Sequence, residues 1–217
     1  MRAGLLSSTI GQKVVMAVTG LVMVGYLVMH VAANLLVFRG PELINGYAAT
    51  LHSYPALLWA ARIVLVAALA FHVWAAVSLT RRDRAARPIR YRRTDPQAAT
   101  VASRTIRWGG LLILFFLVYH ILHFTAGAVH GDVFRAGDPH GNLVRSFRIP
   151  WVAAVYVAAM AAVGLHLYHG AWSSFRTLGV VRPSGNPLKR RASAILAGAI
   201  WLGFTIIPVA IAAGLTD

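Results

Sequence analysis

The apolar residues of the chain fall into five long runs separated by polar stretches. Each run supplies the roughly 20 helical residues that a bilayer crossing requires. The pattern predicts spans over approximately 13–38, 55–80, 105–130, 150–176 and 191–215, forming one membrane domain over 1–217. Pro55 and Pro150 stand where helices would begin, and Gly40, Gly131 and Gly179 where they would end. No soluble-type strand pattern or short-period repeat interrupts the series. The first run, Val14 to Phe38, is longer than a signal-peptide core and has no clear cleavage site, so it is expected to stay as an uncleaved span. The fold class is therefore an all-α membrane protein, a bundle of five transmembrane helices.

Composition agrees. Of the 217 residues, 58% are hydrophobic and 12% charged, where a soluble domain carries about a quarter charged. A net charge of +15 could signal nucleic acid, but the cations cluster between the apolar runs. The segment from Arg81 to Arg107 holds nine arginines and two aspartates, and Arg176, Arg182, Lys189, Arg190 and Arg191 follow the fourth run. The other loops are mixed: Arg39 with Glu42, then Arg135, Arg145 and Arg148 with Asp132 and Asp138. Cytoplasmic loops carry the excess of Lys and Arg. This pattern predicts a multi-pass protein of the cell's inner (plasma) membrane, with its amino terminus and both basic loops in the cytoplasm and Asp217 outside. The bilayer is then the partner of the apolar runs, and no nucleic-acid partner is expected. The chain has no cysteine, which excludes covalent c-type haem, thiolate-held iron–sulfur clusters and disulfides within it. Any iron–sulfur cluster must sit in a partner subunit.

Four of the runs carry histidine: His30, His72, the pair His120 and His123, and the pair His166 and His169 in LHLYHGAW. An ionisable group at membrane depth is costly and marks a functional candidate. At about 1.5 Å of rise per residue, His30 lies about 12 Å from the outer end of its span, and His72 about 12 Å above the basic end of its own. His166 lies about 15 Å above the Arg176 end by the same rise. The histidines thus sort into an outer layer, His30 with His120 or His123, and an inner layer, His72 with His166 or His169. A b-type haem needs two neutral imidazoles facing each other from different helices, and bundle cores are where such ligands project. Spacing leaves the choice within each doublet open, because residues three apart share a helix face. Gly20, Gly25, Gly109, Gly110, Gly164 and Gly170 would give a ring room, although small residues also let membrane helices approach.

Other residues read as follows. Arg62 would snorkel to the interface, or pair with a haem propionate or a quinone carbonyl. Arg81, Arg82, Arg107 and Arg176 could serve inner propionates, although topology alone accounts for most arginines there. His130 and His140 read as solvated loop residues. Trp59, Trp108, Trp151, Trp172 and Tyr54 fit aromatic belts.

These residues resemble the five-helix, two-haem cytochrome b membrane anchor of succinate:quinone oxidoreductases and fumarate reductases, over nearly the whole chain. His30 followed by Asn34, His72 in LAFHVW, Arg107 leading to VYH at His120, and HLYHGAWSSFRTLG from His166 carry the likeness, in order. The resemblance selects His120 over His123 and His166 over His169. It implies two haem b groups, the outer on His30 and His120 and the inner on His72 and His166, with those four histidines binding iron. It also implies an iron–sulfur subunit and an FAD flavoprotein docked on the cytoplasmic side. Electrons from succinate would pass through them and the haems to a membrane quinone, with menaquinone the expected type. Asn34, Arg62, Arg107 and Arg176 become candidate quinone or propionate contacts. In some relatives an acidic residue precedes Ser-x-Pro after the first span; here His52 stands there, in HSYP, and could exchange protons with quinone. The family pattern assigns no role to His123 or His169. The chain would be a non-catalytic-head subunit of succinate dehydrogenase, open to higher oligomers. Rival readings are the cytochrome b anchor of a formate dehydrogenase or hydrogenase, a haem-free proton-coupled transporter, and a purely structural anchor.

Overall fold

The computed structural model of the protein describes residues 4, 6–86, 100–180 and 187–216. Seven α-helices are found among them, and five are long and apolar enough to cross a membrane, as a multi-pass membrane protein requires. Helix α1 (Thr9–Asn34) starts where the Ser8 hydroxyl accepts from the Gly11 N–H at 3.0 Å, and it runs on through a 3-10 turn, Leu35–Arg39. Helices α3 (Pro55–Ala85) and α6 (Pro150–Thr177) start on prolines, whose missing N–H would be unpartnered there anyway. Helix α4 (Val101–His120) starts where Thr100 accepts from the Ser103 N–H at 3.2 Å, and it ends in a π-helical turn, Ile121–Thr125. Helix α7 is Pro187–Ala212.

Two short helices were not expected. The supposed loops hold α2 (Pro41–His52) and α5 (Pro139–Phe147), each opened by a proline. Both are too short for a span, and the search for long apolar runs passes over them. The third span also closes five residues before the predicted 130, at Thr125, and the backbone turns back through Gly127 at φ +62°. A methyl at Gly127 would collide with the Phe134 ring. The middle of the arginine-rich segment, 87–99, and Arg182 lie outside the described residues.

The helices give the bundle two unlike ends. One carries the basic helix termini, where Arg82 donates to the Ser7 carbonyl at 2.9 Å. The other is capped by α2 and α5. Under that cap Val37, Ile44, Leu143, Phe147, Val152, Ile207 and Ile211 form an apolar core. A second core, Met160, Val163, Leu167 and Ile200 among alanines, joins α6 to α7. There a Cβ on Gly164 would stand 3.1 Å from Trp201, so glycine is what permits the approach.

Around the bundle, α3 packs on α1, α1 on α6, and α6 on α4, with α7 seated on α6 and α1. Helices α3 and α4 hardly touch along their length. At the basic end Arg107 of α4 meets Asp83 of α3 at 2.7 Å, an ion pair more than half exposed. The ring of four is therefore closed on three sides and open on the fourth. In its most apolar stretch α4 buries 0% of its residues, where α6 buries 39%.

Candidate functional site

In a ring ordered α3–α1–α6–α4, the diagonals join α1 to α4 and α3 to α6. Both diagonals carry a histidine pair. The rings of His30 and His120 have centroids 5.9 Å apart, and those of His72 and His166 are 6.3 Å apart. Counted along the helices, the first pair lies about 8–14 Å from the capped end and the second about 24–26 Å, so two layers sit about 12–16 Å apart.

The spacing within each pair has a chemical meaning. Metal–imidazole bonds are about 2 Å, so two rings on opposite sides of one metal have centroids about 6 Å apart. Both pairs stand at that separation, and each of the four histidines keeps part of its surface exposed. The residues therefore fit a flat macrocycle holding iron between paired imidazoles from diagonal helices.

The shells around the pairs differ. His72 Nδ1–H donates to the Met16 carbonyl at 3.0 Å, with Thr19 Oγ1 at 3.4 Å, and Nε2 has no hydrogen bond among the described residues. A second-shell acceptor of this kind fixes the tautomer and orientation of a ligating ring. Gly20 lies against His72, and Gly110 against His166 across the α4–α6 contact; a Cβ would come within 3.3 Å and 3.5 Å of the two Cε1 atoms. Of the glycines named in these helices, these two lie against the histidine rings, while Gly25, Gly109 and Gly170 have open space. His166 Nδ1 is buried without a hydrogen-bond partner among the described residues. A cleft of ≈ 220 Å³ beside it, lined by Ala102, Thr105, Trp108, Gly109 and Leu165 among others, opens between α4 and α6.

At the other pair, aromatic side chains crowd the rings. His30 stacks on Tyr26 with centroids 5.2 Å apart, and Phe204 closes in at 5.6 Å. Phe116 and Phe124 flank His120. Asn34 donates to the His30 carbonyl at 2.8 Å, and its amide nitrogen lies 3.4 Å from His30 Nδ1, so it braces the ring's own helix turn.

Within the doublets the structure separates the members. His123 is 1% exposed and has both ring nitrogens engaged, Nδ1 with Tyr156 Oη at 3.1 Å and Nε2 with Ser146 Oγ at 2.9 Å. No nitrogen is left to bind a metal. His120 faces His30 and His166 faces His72. His169, three residues along α6, is in neither pair.

The remaining candidates are spread out. The Arg62 guanidinium lies over the Trp59 ring, 5.0 Å from its centroid, an arrangement suited to an interfacial cation. Arg107, a candidate propionate or quinone contact, meets Asp83 in the exposed ion pair at the basic end. Arg81 and Arg176 are exposed at the basic end. His52 is exposed at the end of α2, its Nδ1–H donating to the Ala48 carbonyl at 2.8 Å. His130 and His140 are not the solvated residues their loop position suggests. His130, at φ +58°, has Nε2 3.0 Å from the Tyr119 hydroxyl, and His140 is packed inside the cap.

That cap is held by charge and amides. Asp138 accepts from the Gly141 N–H at 2.9 Å, the Asn45 amide at 3.2 Å and Arg145 at 3.0 Å. Burial acts to raise the Asp138 carboxyl, but these three donors and the Arg145 charge outweigh it and hold it below the ordinary carboxylate value. Tyr26, Tyr156 and Ser146 were not foreseen as part of the site. Tyr156, the one hydroxyl in the alanine- and valine-rich stretch 151–167, was the one legible signal.

Comparison of the chain with protein-family models, characterised proteins and solved structures finds no match. The functional reading therefore stands on the paired histidines and the resemblance of their motifs.

Proposed function

We propose that the protein is the membrane-anchor cytochrome b subunit of a succinate:quinone oxidoreductase. The single observation that supports this most is the pair of crossed histidine diagonals, each at a ring separation that would suit two imidazoles holding one iron. His30 and His120 would hold the outer haem b, and His72 and His166 the inner one. Bound there, the two haems would carry single electrons between the two layers toward a quinone. The chain's own contribution is to hold four neutral imidazoles in place, to orient His72 through the Met16 carbonyl, and to keep water away with apolar helices.

In this reading the basic end faces the cytoplasm and receives the iron–sulfur and flavoprotein subunits. The exposed arginines Arg81 and Arg176 lie on that face. Succinate oxidation belongs to the partners. Quinone, with menaquinone expected, would approach within the membrane. His52, Arg62 and Asn34 are the candidates near the capped end, and Arg107 and Arg176 near the basic end.

Gentle isolation of the complex tests the proposal. It is expected to carry two spectrally distinct b-type haems per chain, together with flavin-bearing and iron–sulfur subunits. A folded, colourless complex would sink it and favour a haem-free proton carrier or a structural anchor. Two haems alongside formate dehydrogenase or hydrogenase subunits would move the protein to another respiratory complex.

A further inference from the structure

Behind His120 lies a run of buried polar side chains that the paired histidines do not use. Tyr156, His123 and Ser146 are 6%, 1% and 2% exposed. Buried polar groups are costly unless hydrogen-bonded, and a connected set in an apolar bundle is high-stakes. These three are connected. The Tyr156 hydroxyl lies 3.4 Å from His120 Nδ1 and 3.1 Å from His123 Nδ1, and His123 Nε2 lies 2.9 Å from Ser146 Oγ. The π-helical turn Ile121–Thr125 carries His123, so both histidines of the doublet meet one hydroxyl. Such turns are frequent at functional sites. Ser146 comes from the cap helix α5.

One condition sets the direction of every proton in this chain. For His120 to present an Nε2 lone pair toward His30, its proton must sit on Nδ1, where it donates to the Tyr156 oxygen. The Tyr156 O–H is then directed to His123 Nδ1. His123 keeps its proton on Nε2 and donates it to Ser146. His120 gives, Tyr156 and His123 each accept once and give once, and Ser146 accepts, an arrangement in which hydrogen bonds polarise one another.

We propose that Tyr156, backed by His123 and Ser146, is the positioning residue of the His30–His120 pair, holding His120 as its Nδ1–H tautomer and setting the reduction potential of the haem held there. This rests on the two-haem reading above. An acceptor on a ligand's second nitrogen raises the ligand's basicity and so favours the oxidised metal. At the other pair the acceptor on His72 is the Met16 carbonyl, which no side-chain substitution removes. The two layers are thus tuned by different means, one of them adjustable by sequence.

The test is an optical redox titration of the intact complex, which follows each haem separately. Tyr156→Phe is expected to retain both haems and to raise the midpoint of the His30–His120 haem alone. The expected change in its ferrous-to-ferric ratio at fixed potential is about three- to tenfold, where tenfold corresponds to about 59 mV for one electron. Ser146→Ala should move the same midpoint in the same direction by less, and it decides the matter if the phenylalanine variant does not assemble. Unmoved midpoints, or equal shifts of both haems, would overturn the assignment of Tyr156 while leaving the two-haem reading intact. A wild-type complex without haem removes both.

Discussion

The two histidine layers answer one requirement with different materials. The pair nearer the basic end is supported by backbone and by empty space. His72 leans on the Met16 carbonyl, and glycines on neighbouring helices make way for both rings. The pair nearer the cap is supported by side chains, with Tyr26 stacked on His30 and Tyr156 beside His120. Backbone support tolerates most sequence change but fails when a small residue grows. Side-chain support is lost one group at a time, in small steps.

Removing a ring should break this comparison most completely. His72→Leu or His166→Leu is expected to abolish the basic-end haem signal while the other survives, halving haem per chain. Loss of only the cap-end signal in the spectrum would show the pairing to be inverted. Filling the glycine space comes next. A methyl at Gly20 would stand 3.3 Å from His72, closer than a side chain settles comfortably, whereas one at Gly110 would stand 3.5 Å from His166, an ordinary contact. Gly20→Ala is therefore expected to shift the basic-end haem's absorption or potential and Gly110→Ala to leave it in place. Leucine at either position should displace the haem.

The smallest effect should come from the cap. Asp138→Asn removes a half-exposed charge partner of Arg145 and is expected to lower stability by about 1 kcal/mol, read from thermal melts at neutral pH. The sign of its pH dependence follows from the lowered carboxyl. Stability from ionised Asp138 is fully present above the unfolded value of about 3.9 and is lost as pH falls through the lower folded value. The wild type should lose cap stability on acidification through that range, and the asparagine variant should show less of this slope.

The five spans were legible because bilayer thickness imposes a length that few other structures share. The depth of the histidines was legible for the same reason, since a helix converts residue number into distance. Ring order was not. Nothing in the apolar pattern says that α3 neighbours α1 but barely meets α4, and the diagonal relation of the pairs follows from that order. Spacing also could not separate His120 from His123, because the difference comes from a π-helical turn and from Ser146 on a helix that reads as loop. The half-buried place of His130 and the buried place of His140 escaped notice for a related reason. The polar residues of that segment bond to one another, as when the Asn142 side-chain amide accepts from the Arg135 N–H and donates to the Arg135 carbonyl, both at 2.7 Å, and so fold where composition suggests solvent.

The unclosed side between α3 and α4 bears on how the protein is made. A pocket sealed by helices all round would have to fold about its pigment. If the protein holds haem as proposed, a bundle with one loose seam, fastened at the basic end by Arg107 and Asp83, would let a flat ring slip in sideways from the lipid after translation and insertion are finished. Biogenesis of the polypeptide and supply of porphyrin would then not need to keep step.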